Sequence, residues 1–306
     1  MLINQGGKFI DQTAKWSKDL VHAGMITDAL FMDIDQDNDQ DLITVGEWSP
    51  ITIWKNENKK WKPEPIADTE GWWFSIAAED YDQDGDLDLL AGNIGLNHKF
   101  KAEKDKPFHI YYDDFDNTGT QDIVLAFHAQ DKLFPVRGRD CSSEQMPFIT
   151  DKFPTFESFG GAELKDIFGE KIEKANHMQA TQFASLILWN DGEVFSSKAL
   201  PDQAQFSPIN KSAFIDLNQD GKKELIIAGN MFQTEAETSQ ADAGIGAVFT
   251  IDGQNFKAYN TLESGFFAPF DAKDILSLKT AQGKSLILVA NNDGPLQAFE
   301  TAHTLQ

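Results

Sequence analysis

Four stretches of the chain share one frame at identical internal spacing. Residues 33–45 read DIDQDNDQDLITV, 80–92 DYDQDGDLDLLAG, 114–126 DFDNTGTQDIVLA and 216–228 DLNQDGKKELIIA. The frame is Asp-x-Asp/Asn-x-Asp/Thr-Gly/Asn-x-x-Asp/Glu, followed by a run of Ile, Leu, Val and Ala. A strand-like run precedes each one: Ala29–Met32, Phe74–Ala77, His109–Tyr112 and Ser212–Ile215. The unit is therefore strand, acidic loop, strand. The second strand is apolar at nearly every position, the pattern of a strand covered on both faces. Residues 274–291 keep both strands but place KTAQGKS between them, which reads as a degenerate fifth unit.

Successive frames start 47, 34 and 102 residues apart. Strand-rich repeats near this period predict an all-β fold, a β-propeller of four-stranded blades. Inner hairpins give about five blades, with six or seven left open. Outer strands are visible too: Ile51–Lys55 with Trp61–Ile66, Phe183–Trp189 with Glu193–Leu200 around an Asp-Gly turn, and Ala247–Ile251 with Asn255–Tyr259. Residues 1–13 look like an outer hairpin without inner strands. Pairing it with the strands of 274–299 would close the ring and remove sheet edges. The same ends suggest a piece of a longer parent chain. Residues 139–180 lack strand alternation and read as a short helical insertion in a single domain spanning 1–306.

The acidic frame needs its own explanation. Carboxylates a few Å apart repel by about 1 kcal/mol per pair in water, and by about 4 at an effective dielectric near 20. A hard divalent cation removes that penalty, because Ca²⁺ takes six to eight oxygens. Alternating residues of a tightly wound loop point inward, and Gly or Asn at position 6 tolerates the positive φ of a sharp turn. The EF-hand is excluded. It needs a bidentate Glu at position 12 between helices, whereas position 12 is Thr44, Ala91, Leu125 or Ile227 here.

This unit resembles the VCBS/FG-GAP repeat family, calcium-binding β-propellers that include the head of integrin α-subunits. The likeness covers roughly residues 22–130 and 182–300. GWWFSIAAEDYDQDGDLDLLAGNIGLN (71–97), AQFSP (204–208) and LVANNDGPLQAF (288–299) are similar to the C-terminal part of large secreted VCBS-repeat proteins of Bacteroidetes-type bacteria. The resemblance implies up to four Ca²⁺ ions. Their ligands would be Asp33, Asp35, Asp37, Asp39 and Asp41; Asp80, Asp82, Asp84, Asp86 and Asp88; Asp114, Asp116, Thr118, Thr120 and Asp122; and Asp216, Asn218, Asp220, Lys222 and Glu224. The seventh-position residues Asp39, Asp86, Thr120 and Lys222 would act through their carbonyls. Thr118 and Lys222 depart from the pattern, so the third and fourth sites are expected to bind more weakly.

The rest of the sequence narrows the function. A net charge of −23 opposes nucleic-acid binding and anionic membrane surfaces. No apolar run reaches the length of a membrane span, and MLINQGGKFIDQTAKW lacks a signal-peptide core. Cys141 is the single cysteine, so no internal disulfide forms. No GxSxG, HExxH, Walker loop or CxxC occurs. The six histidines are scattered without ligand spacing, and Glu47, Glu70 and Glu79 are the nearest non-loop acids. Trp48 and Trp72 could form a ligand platform, although core packing is the commoner use of such rings. Arg137, Arg139 and Asp140 at the entry of 139–180 leave open a lid over the propeller face. Together these features predict a non-enzymatic, calcium-stabilised binding module for a protein or glycan, outside the cell or in the periplasm and open to outer-membrane association. Millimolar external calcium suits loops of this kind. The alternative is a polysaccharide lyase or hydrolase acting on the propeller face.

Overall fold

The computed structural model describes residues 1–192, 194–235, 238–281 and 284–301. The strand position at Glu193 and Gln282–Gly283 of the degenerate loop lie outside them. Residues 1–67, 72–99 and 183–306 make one compact body; residues 68–71 and 100–182 make a second. The chain is mostly β, in antiparallel sheets.

All five expected hairpins form. In the larger body, Met25–Met32, Asp41–Ser49, Thr52–Asn56 and Trp61–Pro65 run as a four-stranded meander. A second meander contains Gly71–Glu79, Asp88–Asn93, Leu186–Asn190 and Phe195–Ala199, and the two join through Asp41–Ser49 and Gly71–Glu79. A third contains Lys211–Ile215, Glu224–Ala228, Ala247–Asp252 and Asn255–Ala258. Ala272–Lys279, Ser285–Asn291 and Gln297–Glu300 form a three-stranded sheet. The three predicted outer pairs thus fall within a few residues of their expected places.

Apolar side chains fill the space between successive sheets. Ile43, Val45, Trp73, Leu89 and Leu188 pack between the first and second meanders. Leu90, Ile187, Leu225 and Phe249 pack between the second and third, and Ile226, Val248, Ile275 and Val289 between the third and the last sheet. This is why Asp88–Asn93, Leu186–Asn190 and Glu224–Ala228 are buried at every position. Neighbours such as Leu89 and Leu90 point to opposite faces and serve two different cores. Leu89 is fully buried, so Leu89→Ala is expected to cost about 2–5 kcal/mol, read as a lower urea midpoint at unchanged slope.

Two glycines that end apolar runs are fixed by close backbone approach. A Cβ at Gly92 would lie 2.2 Å from the Ile209 carbonyl oxygen, and one at Gly229 2.1 Å from that of Pro208. The segment Pro208–Ile209 passes between second and third meanders with no room for a methyl group. Gly92→Ala is expected to lower the melting temperature, whereas Gly85→Ser, which meets open space, strains only its loop.

The second body corrects the predicted insertion. Its sheet runs Asn176–Ala180, Phe108–Asp113, Asp122–Ala129 and Lys132–Pro135 in spatial order. The inserted part is therefore 100–182, not 139–180, and it carries the third acidic loop. Residues 139–174 supply five short helices, but Asn176–Ala180 is a strand. Five residues without clear alternation gave no strand signal; pairing with Phe108–Asp113 decides their conformation. Ile149, Phe159, Leu164, Ile167 and Phe168 of the helical segment bury against Phe115, Val124 and Ala126. Arg139 is spent inside this body, its Nε donating to the Phe153 carbonyl at 2.6 Å.

The expected ring closure is also corrected. Leu2–Gln5 and Lys8–Asp11 pair only with each other among the described residues, and the last sheet stays three-stranded. Seven of the hairpin's eight strand residues are exposed, Leu2, Phe9 and Ile10 among them, so no other sheet covers it.

Candidate metal centres

The four acidic loops follow one backbone path. Position 4 has positive φ in each: Gln36 at 60°, Gln83 at 66°, Asn117 at 60° and Gln219 at 63°. So does position 6: Asn38 at 72°, Gly85 at 103°, Gly119 at 84° and Gly221 at 88°. Glycine at position 6 relieves the strain there. The side chain at position 4 pays for it, at roughly 1–2 kcal/mol per residue, and no sequence signal marked that position. First-position acids hold the bend. Asp33 accepts from the Asp37 and Asn38 amides at 3.0 Å, Asp114 from Thr118 and Gly119 at 2.9 Å, and Asp216 from Gly221 at 3.1 Å.

This bend gathers carboxylates. Oxygens of Asp33, Asp35 and Asp37 lie within 4.8 Å of one another, as do those of Asp80, Asp82 and Asp84, and of Asp114, Asp116 and Asp122. Among the described residues, Asp216, Asp220 and Glu224 form no such group. Lys222 is exposed, and the Lys222 amide donates to Asp220 at 2.7 Å. A cation attends two of the loops. Lys171 Nζ donates to the Phe115 carbonyl at 2.8 Å and to Asn117 at 3.0 Å, and Lys55 lies 3.8 Å from Asp35.

Several loop oxygens have no hydrogen-bond partner although they are buried: Oδ1 of Asp39, Asp80, Asp82, Asp86 and Asp216. A buried, unpartnered carboxylate oxygen is costly. A hard cation with oxygen ligands would satisfy these atoms, so the donor set fits Ca²⁺. Burial, reinforced by neighbouring carboxylates, raises the pKa of Asp39, Asp82 and Asp86. Asp39 and Asp86 were expected to act through their carbonyls; their side chains lie outside the carboxylate groups, but each buries an Oδ1 without a partner.

The ninth-position acids have a second role that the spacing did not reveal. Asp41 accepts from the Ile34 amide at 3.3 Å and the Asn56 amide at 2.8 Å. Asp88 accepts from Tyr81 at 3.1 Å and Asn190 at 2.9 Å. Asp122 accepts from Phe115 at 2.9 Å and Glu224 from Leu217 at 2.9 Å. All four acids are buried. Each clamps its loop to its own hairpin, and in the first two meanders also to the third strand.

Burial is the main cause that pushes Asp88 up to about 6, against the Asn190 and Tyr81 amides. A nearby cation favours the ionised form. Calcium binding at pH 6 is therefore expected to release protons, and at pH 7.5 far fewer. Calorimetry in two buffers of different ionisation enthalpy measures this; identical heats at pH 6 would contradict it.

The other candidates resolve as packing. Trp48 is 8% exposed and stacks edge-on against Trp72 at 5.0 Å, which removes the platform reading for Trp48. Glu79 pairs with Lys223 at 3.1 Å, Glu70 accepts from the Thr181 hydroxyl at 3.0 Å, and Cys141 Sγ lies 3.6 Å from Arg137 Nη1. The histidines are not all scattered: His109, His128 and His177, from three neighbouring strands, come within hydrogen-bonding distance. Sequence separations of 19 and 68 residues hid this.

Residues 33–91, which hold the first two loops, match the model of the FG-GAP-like repeat. The chain carries an FG-GAP-like repeat. The third and fourth acidic frames, at 114–122 and 216–224, lie outside that match but share its loop geometry. No curated protein matches the chain. Among solved structures, a crystal structure of BBS1N in complex with ARL6DN is 11% identical, with 93% of this chain and 95% of that one covered, at a TM-score of 0.25. A lectin of Agrocybe aegerita that recognises non-reducing terminal N-acetylglucosamine is 13% identical over 94% of this chain and 84% of that one, at 0.22. Scores this low carry no argument about fold or ligand. Among the described residues no helix is long and apolar enough to cross a membrane, which says nothing of a β-barrel.

Proposed function

We propose that the chain is a calcium-stabilised β-propeller, with the five hairpins as inner strands of its blades, acting as a binding module outside the cell or in the periplasm. One observation carries the metal reading: among four loops of one backbone shape, buried carboxylate oxygens without partners occur in the first, second and fourth, at position 7 in the first two and at position 1 in the second and fourth. In the first site the cation would be held by Asp33, Asp35, Asp37 and Asp39, and in the second by Asp80, Asp82, Asp84 and Asp86. In the third it would be held by Asp114, Asp116 and Asp122 with the carbonyls of Thr118 and Thr120, and in the fourth by Asp216, Asn218, Asp220 and the Lys222 carbonyl. Bound there, it neutralises like charge and fixes the two strands on either side of each loop. The role is structural, since the protein's oxygens take up the ligand positions.

The FG-GAP-like repeat supports a binding role. Of the acids nearest the loops, Glu79 pairs with Lys223 and Glu70 accepts from the Thr181 hydroxyl. The ligand class is protein or glycan. A glycan array on the calcium-loaded chain, followed by a product assay on each hit, tests this. Retention without cleavage supports a binding module, and new reducing ends or unsaturated sugars would replace it with a polysaccharide-active enzyme.

A further inference from the structure

His109 sits at the centre of the inserted body's sheet, 7% exposed, between two other imidazoles. Its Nδ1 lies 2.8 Å from Nε2 of His177, and its Nε2 lies 3.0 Å from Nε2 of His128. The three come from adjacent strands: Phe108–Asp113, Asn176–Ala180 and Asp122–Ala129. Tyr111 stacks on His177 with ring centroids 4.4 Å apart. We propose that this chain of three imidazoles is an acid-released latch, holding the edge strand Asn176–Ala180 to the centre of the sheet at neutral pH and letting go as the pH falls.

Hydrogen-bond bookkeeping gives the mechanism. Three imidazoles have six ring nitrogens. Each of the two internal contacts needs one N–H and one lone pair. Three neutral rings supply three protons: two fill the internal contacts and one sits on an outer nitrogen, Nδ1 of His177 or of His128. A fourth proton can sit on the other outer nitrogen. A fifth would set two N–H groups face to face and break a contact. The closed latch therefore holds at most one positive charge, whereas with His177 released and the His109–His128 contact kept the three rings can hold two.

Burial acts in the same direction. Desolvation, with the two neighbouring imidazoles, pushes His109 down to about 4, and desolvation lowers His177. A histidine whose folded pKa is depressed contributes stability that is present above its ordinary value near 6.5 and lost as the pH falls toward the folded value. No carboxylate offsets this among the causes acting on His109. The charged groups on surrounding elements have other partners: Lys132 pairs with Glu163, Lys106 with Asp131, and Glu70 with Thr181. Tyr111 stays neutral throughout this range, since burial raises its pKa.

The count predicts a pH slope in the parent that both variants lose. Opening the intact latch takes up as many as one proton, so the opening constant should rise by up to about tenfold per pH unit below 6. His177→Phe keeps the stack on Tyr111 and leaves only the His109–His128 contact, which release of Asn176–Ala180 does not break, so its slope should be flat. His109→Phe leaves no contact and no latch-linked dependence. Hydrogen exchange of amides 176–180, in the full chain with saturating calcium from pH 7 to 5 and corrected for intrinsic rates, reads these slopes. Loop carboxylates contribute equally to all three proteins and cancel. Equal slopes in parent and His177→Phe would overturn the latch. Should His109→Phe not fold, ¹⁵N imidazole shifts of the parent decide alone: His109 staying neutral through pH 5.5 while at most one further proton is held supports the latch, and three rings titrating independently near 6.5 would end it.

Discussion

Chelating calcium is expected to lower the melting temperature of the chain by about ten degrees or more, and added Ca²⁺ should restore it. A ligand that binds only the folded state at a hundred times its Kd stabilises by about 2.7 kcal/mol. Two sites of the strength expected for the loops at 33–41 and 80–88 supply about 5 kcal/mol. For a chain of this size each kcal/mol moves the midpoint by about 2–4 °C. The effect belongs to particular oxygens. Asp84→Ala removes a member of the second carboxylate group and should abolish roughly half of the calcium-dependent shift. Asp19→Ala, on the short helix Asp19–His22, should leave it intact. Scanning calorimetry with EDTA, then with excess calcium, measures both. A melt that EDTA does not move, or equal losses in the two variants, would remove calcium from the account.

The loops and hairpins were legible in the sequence because their signals are local. An acidic frame between two apolar runs states its own turn, its strands and its charge problem within thirteen residues. Apolar residues at both alternations of Asp88–Asn93 announce a strand between two layers, and Leu89 and Leu90 do face different cores. What stayed hidden depends on partners far along the chain. The second meander takes its outer strands from residues 186–199, across a whole inserted body. His109, His128 and His177 look unrelated until strand register sets them side by side. Asn176–Ala180 has no alternation of its own and becomes a strand through its neighbour. The ninth-position acids were recognised as carboxylates near a metal, but their amide partners at Asn56 and Asn190 lie on strands that the frame does not name.

Those acids give the second large prediction, which separates clamp from metal ligand. Asp88 is 1% exposed, and its carboxylate receives two backbone amides, from Tyr81 within the loop and from Asn190 on the third strand. Hydrogen bonds to a charged group contribute about 1.5–3 kcal/mol each. Asp88→Ala strands both donors in a buried place, so about 3–6 kcal/mol should be lost by chemical denaturation. The loss should persist in EDTA, because the amides need the carboxylate whether or not an ion is bound. Asp84→Ala should behave oppositely across the same two conditions. With calcium it removes a ligand and destabilises. In EDTA it removes one of several crowded negative charges, whose mutual repulsion then has no counter-ion, and should leave the protein as stable as the parent or more so. A change of sign for Asp84→Ala beside a constant loss for Asp88→Ala is the signature of a loop that is clamped by one acid and filled through the others. If both variants lost the same stability in both conditions, the two roles could not be distinct, and the acids of the loop would be structural hydrogen-bond acceptors throughout.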